Sequence, residues 1–227
     1  MKVILLGASG MVGQGVLIEC LRDLRVERVL SLGRSPSGRQ DPKLSEQVHA
    51  DLYDLSAVEE SLRGYDACFY CLGVSSVGMN ETDYTRISYD MTMAVAETLV
   101  RLNPGMTFIY VTGAGTDSSE QGRSMWARVK GRTENALLRL PFKAVYLFRP
   151  GGIQPLHGVR PKVGWIRAIY TATAPLLSFL AKHAPGAMTT SERIGQAMID
   201  ATASGGPSRI LESRDINREA LQGSSRP

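Results

Sequence analysis

One stretch limits what this chain can fold into more than any other: Gly7-Ala8-Ser9-Gly10-Met11-Val12-Gly13, placed directly after the aliphatic run Lys2-Val3-Ile4-Leu5-Leu6. The β-branched and aliphatic residues at 2–6 read as a strand, and from Met11 onward the apolar spacing becomes helical. Strand, tight turn and helix follow one another without a spacer. At Gly7 the chain can turn off the strand, at Gly10 a phosphate can approach the backbone with no Cβ in the way, and at Gly13 the helix can pack close to the strand. The unpaired N–H groups at the helix start, with the positive end of its dipole, make a site for a pyrophosphate. Glycines alone also fit an ordinary strand-to-helix loop, so the reading depends on what surrounds them. Here a first strand precedes them, a helix opens on them, and a second strand follows with a charged residue at its end.

That residue is Arg34, in Gly33-Arg34-Ser35-Pro36 after an expected strand over 26–32. In dinucleotide folds this strand end meets the adenosine ribose, where a carboxylate binds the two ribose hydroxyls and an arginine accommodates a 2′-phosphate. A guanidinium holds a phosphate through two parallel bonds, so Arg34 with Ser35 favours NADP(H), and NAD(H) stays open as the second choice. A solvated loop arginine beside Arg39 and Lys43 is the competing reading.

Further along, the pattern alternates. A helix is expected over 12–24, with Val16, Leu17, Cys20, Leu21 and Leu24 as its stripe, and a weak third strand over 47–50. Asp51-Leu52 follows, with Asp51 placed either to bond an adenine amine or to cap a helix over 55–62. A fourth strand over 67–72 ends at Gly73, and a long helix over 82–102 carries Ile87, Met91, Val95, Leu99 and Val100. A fifth strand over 106–111 runs into Thr112-Gly113-Ala114-Gly115-Thr116-Asp117. The next helix begins near Ser124 and puts Trp126 and Lys130 on one face. A sixth strand over 144–148 leads into Arg149-Pro150-Gly151-Gly152-Ile153. Beyond it lie a proline-broken helical segment to His183, a helix over 191–203, a short strand over 209–211 and a polar tail expected to fray. Strands alternating with helices give an α/β fold, a Rossmann-like doubly wound parallel sheet with its ligand crevice at the carboxyl ends of the strands. The expected organisation is one domain over 1–212, including a substrate-side segment 152–190 and a short C-terminal helical elaboration, then the tail 213–227.

Composition removes several alternatives. A net charge of +4 and a pI near 9.0 suit an anionic small molecule, and the basic residues are scattered among acidic ones, so no nucleic-acid stripe forms. The longest nearly uncharged stretch, 168–181, contains Pro175 and falls short of the ~20 apolar residues of a membrane span. The apolar start is too short for a secretory signal and goes straight into the glycine turn. An odd count of cysteines, Cys20, Cys68 and Cys71, points to a reducing cytoplasm. Cys68 and Cys71, three apart in a strand, face opposite ways and do not form a metal or redox pair. His49, His157 and His183 show no metal spacing, and His157 is the one placed to meet a substrate. Ser9 is not a hydrolase nucleophile, because that turn requires glycine at position 11. Segment 165–181, with Trp165, Tyr170 and Phe179, reads as core cover, as a lid, or as a surface for a homodimer or protein partner.

Taken in order, the glycine turn, Asp51-Leu52, Leu72-Gly73, an aromatic residue four before Lys130, and Arg149-Pro150-Gly151 resemble the short-chain dehydrogenase/reductase superfamily. The compact size and Trp-Ala-Arg-Val-Lys-Gly-Arg-Thr-Glu make the chain most similar to the atypical NAD(P)H-binding, epimerase/dehydratase-like branch that includes the Tat-interacting tumour-suppressor-like proteins. The resemblance implies a cofactor lying along Gly7, Ser9, Gly10, Met11, Val12, Arg34, Ser35, Asp51, Leu52, Cys71, Leu72, Gly73, Lys130, Pro150, Gly151 and Ile153. It also implies a tyrosine and a lysine four apart as the acid/base pair and a hydroxyl residue after the fifth strand. Lys130 and Thr112 match, and Ser88 falls where many relatives carry asparagine. The tyrosine position is Trp126. An indole N–H donates a hydrogen bond but does not ionise in the useful range, so Trp126 cannot be a general acid or base. Tyr84, Tyr89 or an ordered water stay open as replacements. The expected function is an oxidoreductase or epimerase-like enzyme acting on a small carbonyl-type substrate, or a non-turnover NADPH-binding regulator.

Overall fold

The first strand shows why the chain forms a two-layered sandwich around a sheet. In β1 (Lys2–Leu6) Val3, Ile4, Leu5 and Leu6 are all fully buried, because successive side chains enter two different cores. Val3 and Leu5 pack with Val16, Leu17 and Cys20 on one side, and Ile4 and Leu6 pack with Val95, Leu99 and Leu137 on the other. Each such side chain contributes roughly 1.5–3 kcal/mol by leaving water. This computed structural model describes residues 1–155 and 186–223.

The element order is β1, α1 (Met11–Arg22), β2 (Arg28–Gly33), β3 (Leu44–Val48), a 3-10 turn (Ser56–Leu62), β4 (Ala67–Tyr70), α2 (Glu81–Thr85), a π-helical turn (Arg86–Asp90), α3 (Met91–Leu102) and β5 (Thr107–Val111). There follow α4 (Met125–Arg139), β6 (Ala144–Arg149), β7 (Gly152–Gln154), β8 (Met188–Thr190), α5 (Ser191–Ser204), β9 (Ile210–Glu212) and α6 (Ser213–Gly223). Seven strands form one parallel sheet in the order β3-β2-β1-β4-β5-β6-β9, and β7 pairs with β8 in a second, two-stranded sheet. The order reverses beside β1, so the loops after β1 and β4 flank the crevice where such sheets bind ligands.

Several boundaries differ from the sequence reading. Helix α1 stops at Arg22, and Leu24 is left 93% exposed outside the stripe it was assigned to. The third strand runs 44–48 instead of 47–50. As an edge strand with mostly exposed side chains it carries little apolar signal. The long helix is continuous over 81–102 but widens into a π turn at 86–90. The largest correction is the tail: residues 213–223 form α6, with Ile216 and Ala220 buried in place of a frayed end. Its high proportion of charged and polar residues hid one narrow apolar stripe. Segment 165–181, the expected helical stretch to His183, His157 and His183 itself lie outside the described residues. Among those described, no helix is long and apolar enough to cross a membrane, and no group of His, Cys, Asp or Glu is placed to hold a metal ion.

Glycines also set how close helices come to one another. A Cβ on Gly15 would lie 2.4 Å from Ser191 Cβ, and one on Gly195 would lie 2.9 Å from Glu19 Cβ. Both admit the close crossing of α1 and α5 that closes the first core.

Candidate functional site

The crevice begins at the glycine turn. Gly7 adopts a φ of +85°, and a Cβ there would sit 2.8 Å from the Cys71 carbonyl. Only glycine satisfies both conditions. The Gly10 N–H donates to Gly7 O at 2.8 Å and closes the turn, and Gln14 N–H donates to Gly10 O at 2.9 Å to begin the helical ladder. Between them, Met11 and Val12 occupy the first turn, where amides lack helical partners, and both line the crevice. A Cβ on Gly13 would fall 2.0 Å from Gly7 O, so helix and turn are in direct contact. Gln14 Nε2 donates to Ser9 O at 3.0 Å and pins the loop. That clamp was missed in the sequence, where Gln14 reads only as a helix residue.

A cavity of about 450 Å³ runs from Gly10, Met11 and Val12 past Cys71, Leu72, Gly73, Val74, Ser75 and Ser76 to Tyr84, Thr112, Trp126, Lys130 and Ile153. A second cavity of about 170 Å³ is lined by Arg34, Leu52, Ser88, Thr92 and Tyr110, and it shares Leu72, Gly73, Val74 and Lys130 with the first. Together they form one trough from the end of β2 to α4. A Cβ on Gly73 would meet nothing within 4 Å, so the backbone there stands open to the trough. This shape fits an extended dinucleotide: bare backbone at Gly10 and Gly73, helix-start amides at Met11 and Val12, a guanidinium in the smaller cavity and an ammonium where the two cavities meet.

Not every expected cofactor residue lines these cavities. Gly7 builds the turn from behind, while Ser9, Ser35 and Asp51 are absent from the described lining. Asp51 Oδ1 accepts from Tyr53 N–H at 2.8 Å, and it is Asp54 Oδ1 that accepts from Ser56 N–H at 2.9 Å to hold the start of the 3-10 turn. Pro150 O accepts from Ala114 N–H at 2.9 Å, Gly151 N–H donates to Ser213 Oγ at 2.8 Å, and a Cβ on Gly151 would lie 2.3 Å from Ala187 O. These two residues join loops beneath the site. Ile153 reaches the cavity because β7 is held against β8.

Where the two cavities meet stands Lys130, only 6% exposed. Its Nζ donates to Tyr110 Oη at 3.0 Å and lies 4.8 Å from the Tyr110 ring centroid. Burial pushes the Lys130 pKa down, while the nearby Tyr84 phenol and Glu134 carboxylate favour its charged form. Tyr110 was not singled out in the sequence. The available signal was its position two before Thr112, which puts both on one face of β5. Thr112 Oγ1 donates to Glu134 Oε1 at 2.7 Å. With that proton committed, the hydroxyl offers a substrate only an acceptor. Glu134 in turn receives Arg149 Nε at 3.1 Å on both oxygens, and Arg149 Nη2 reaches Ser118 Oγ at 2.6 Å. The buried pair ties β6, α4 and the loop after β5 together. Gly131 makes the same junction possible, since a Cβ there would lie 1.8 Å from Asp117 O.

Trp126 lines the cavity where the tyrosine was expected, with its indole edge 3.7 Å from the position of a Gly115 Cβ. Of the replacement phenols, Tyr84 lines the larger cavity, whereas Tyr89 lies under the Arg132 guanidinium at 4.3 Å and is not among the lining residues. Ser88, on the π turn, is 5% exposed, and its Oγ is buried without a hydrogen-bond partner. Its carbonyl accepts from Thr92 Oγ1 at 2.8 Å. Such widened turns free a carbonyl and recur at functional sites. Elsewhere, His49 Nε2 lies 2.7 Å from Asp54 O at the surface. The cysteines are free, with Cys68 in one core and Cys71 against the other.

The family model described as the NAD dependent epimerase/dehydratase family matches residues 3–123, just over half of the chain. The chain belongs to that family. Protein HTATIP2 of Rattus norvegicus is 27% identical over 153 residues, 66% of this chain and 62% of that protein. Protein FMP52-2, mitochondrial, of Scheffersomyces stipitis is 23% identical over 151 residues, 65% of this chain and 64% of that one. The match thus spans less than two thirds of either relative. Among solved structures, the Bordetella bronchiseptica enzyme WbmF in complex with NAD+ aligns at a TM-score of 0.65 and 15% identity, over 97% of this chain and 77% of that one. DesIV, the dTDP-glucose 4,6-dehydratase of Streptomyces venezuelae with NAD and TYD bound, aligns at 0.66 and 16% identity, over 100% and 82%. At that identity the likeness concerns the fold, and it agrees with the parallel sheet described above.

Proposed function

We propose that this family member binds NADP(H) along the trough and reduces, or epimerises through oxidation and reduction, a small carbonyl-type substrate. The observation that carries the reading is the buried ammonium of Lys130 on the wall of a cavity that begins at bare helix-start amides. The Met11 and Val12 amides and the α1 dipole hold the diphosphate, and Gly10 and Gly73 let it approach. Arg34 receives the 2′-phosphate, and Leu52 packs beside the adenine. Lys130, held by Tyr110, meets the ribose next to the nicotinamide. When bound, the nicotinamide gives a hydride to the substrate carbon or takes one from it. Three free cysteines support a reducing compartment such as the cytoplasm.

Trp126 favours a second reading, in which NADPH is held without turnover and sets the shape of a partner-binding surface that includes 165–181. The two separate in one experiment. If the chain is an enzyme, Lys130→Ala abolishes NADPH consumption against a panel of small aldehydes and ketones, and Trp126→Tyr raises it. Equal background consumption by all three proteins, with NADPH still bound by the native chain, selects the regulator.

A further inference from the structure

The expected position of the acid/base phenol carries an indole, yet the cavity does not lack a phenol. Tyr84, on α2, is 2% exposed and lines the same cavity as Thr112, Trp126 and Lys130. Among the described residues its hydroxyl makes no hydrogen bond, and Ser88 Oγ is the one buried side-chain oxygen or nitrogen there without a partner. Tyr84 is thus enclosed by the protein yet forms part of the cavity wall, with its hydroxyl unengaged among the described residues. It also lies close enough to Lys130 to favour the lysine's charged form. A buried phenol normally finds a hydrogen-bond partner. One left open beside an ammonium is placed for a ligand.

The other groups nearby are otherwise engaged. Tyr110 is fully buried, lines only the smaller cavity and accepts the Lys130 hydrogen bond, so it positions the lysine. The Thr112 proton goes to Glu134. Ser75 and Ser76 line the cavity, but an alcohol does not ionise where a proton is to be delivered. We propose that Tyr84 is the catalytic acid/base of this chain: the phenol that pairs with Lys130 comes from α2 instead of from α4. The inference rests on the NADP(H) enzyme reading. As a hydride reaches the carbonyl carbon, the C=O π pair moves onto oxygen, which takes the proton from Tyr84 Oη. The phenolate left behind is held by the Lys130 ammonium and regains a proton from water. In the reverse direction the phenolate takes the alcohol proton as the hydride leaves for the oxidised nicotinamide.

The test compares full-length native protein with Tyr84→Phe, Trp126→Tyr and the double variant, reading NADPH affinity by calorimetry, melting temperature, and NADPH oxidation with small aldehydes, ketones and α-diketones. Tyr84→Phe is expected to melt and bind NADPH as the native chain does, within about twofold, while kcat falls ~10²–10⁴-fold. Adding Trp126→Tyr to it should recover at least tenfold, because a phenol returns to the α4 position. Activity of Tyr84→Phe within about threefold of native would overturn the assignment and leave the enzyme reading standing. A native chain that binds NADPH but reduces no carbonyl would overturn Tyr84 as acid along with the enzyme reading. A native chain that binds no NADPH would remove the proposed function itself.

Discussion

The β1 and α4 sides of the trough are built by opposite means. At the β1 end the ligand surface is backbone, set by glycines six residues apart or fewer, and each glycine contact is with the turn itself or the adjoining β4 end. At the α4 end the surface is side chains from several separate segments: Tyr84 on α2, Thr112 after β5, Lys130 on α4 and Ile153 on β7. The first end is neutral and, apart from the packing of Gly7 on Cys71, is written in one short stretch of sequence. The second holds a buried ammonium and rests on a buried ion pair, so it depends on the tertiary structure staying intact. The difference teaches that, in the proposed function, the residues offered to the diphosphate and those offered to the substrate answer to separate parts of the sequence. Trp126 touches none of the glycines of the opening turn.

That contrast can be broken by mutation. The largest stability effect is expected at the ion pair. Arg149→Met leaves Glu134, 1% exposed, as an unpaired buried carboxylate, and should cost about 3–5 kcal/mol in urea unfolding. The double variant Arg149→Met/Glu134→Leu should lose clearly less. Next comes the glycine end, where Gly13→Ala drives a Cβ to within 2.0 Å of Gly7 O and should cost ~1–3 kcal/mol and abolish nucleotide binding. Gly105→Ala, with nothing within 4 Å of its Cβ, is the control and should lie within ~0.5 kcal/mol of native. A smaller, selective effect is expected from Arg34→Ala. Loss of charge-assisted bonds of about 1.5–3 kcal/mol should weaken NADPH by roughly 10–150-fold and leave NADH unchanged. Equal weakening of both nucleotides would remove Arg34 from the 2′-phosphate.

The smallest effect concerns Lys130 in the nucleotide-free protein. Burial lowers its pKa in the folded state, so between that lowered value and the unfolded value near ~10.4 the unfolded chain binds more protons. Stability from this group therefore rises with pH across that window, and below it the cost of burying the charge is fully present. Lys130→Met should raise the melting temperature of the nucleotide-free chain at pH 7 and flatten its alkaline dependence. A lowered melting temperature would mean that the contacts to Tyr110 outweigh burial.

The same contrast explains what the sequence made legible. Strand, turn and helix over 2–22 lie in one short segment, so local periodicity and glycine spacing were enough. The parallel order was readable from alternating elements, and Lys130 from its spacing to an aromatic residue. The Lys130–Tyr110 hydrogen bond and the Thr112–Glu134–Arg149 chain were not, because each joins residues 15 or more apart. Helix α6 was missed because Ile216 and Ala220 are separated by polar residues whose burial depends on α5. Edge strand β3 escaped for the opposite reason, having hardly any buried side chains to produce a pattern.

The proposed function stands or falls with the bare turn at Gly10 and its hold on a dinucleotide diphosphate. A Cβ at Gly10 lies 3.3 Å from Gly7 O, tight but tolerable for folding, and Gly10 lines the cavity proposed to take the diphosphate. Calorimetric titration with NADPH should give saturable one-to-one heat for the native chain, and at least tenfold weaker binding for a Gly10→Ala protein that melts within a few degrees of native. No heat from the native chain with either NADPH or NADH, or native affinity in Gly10→Ala, would contradict it.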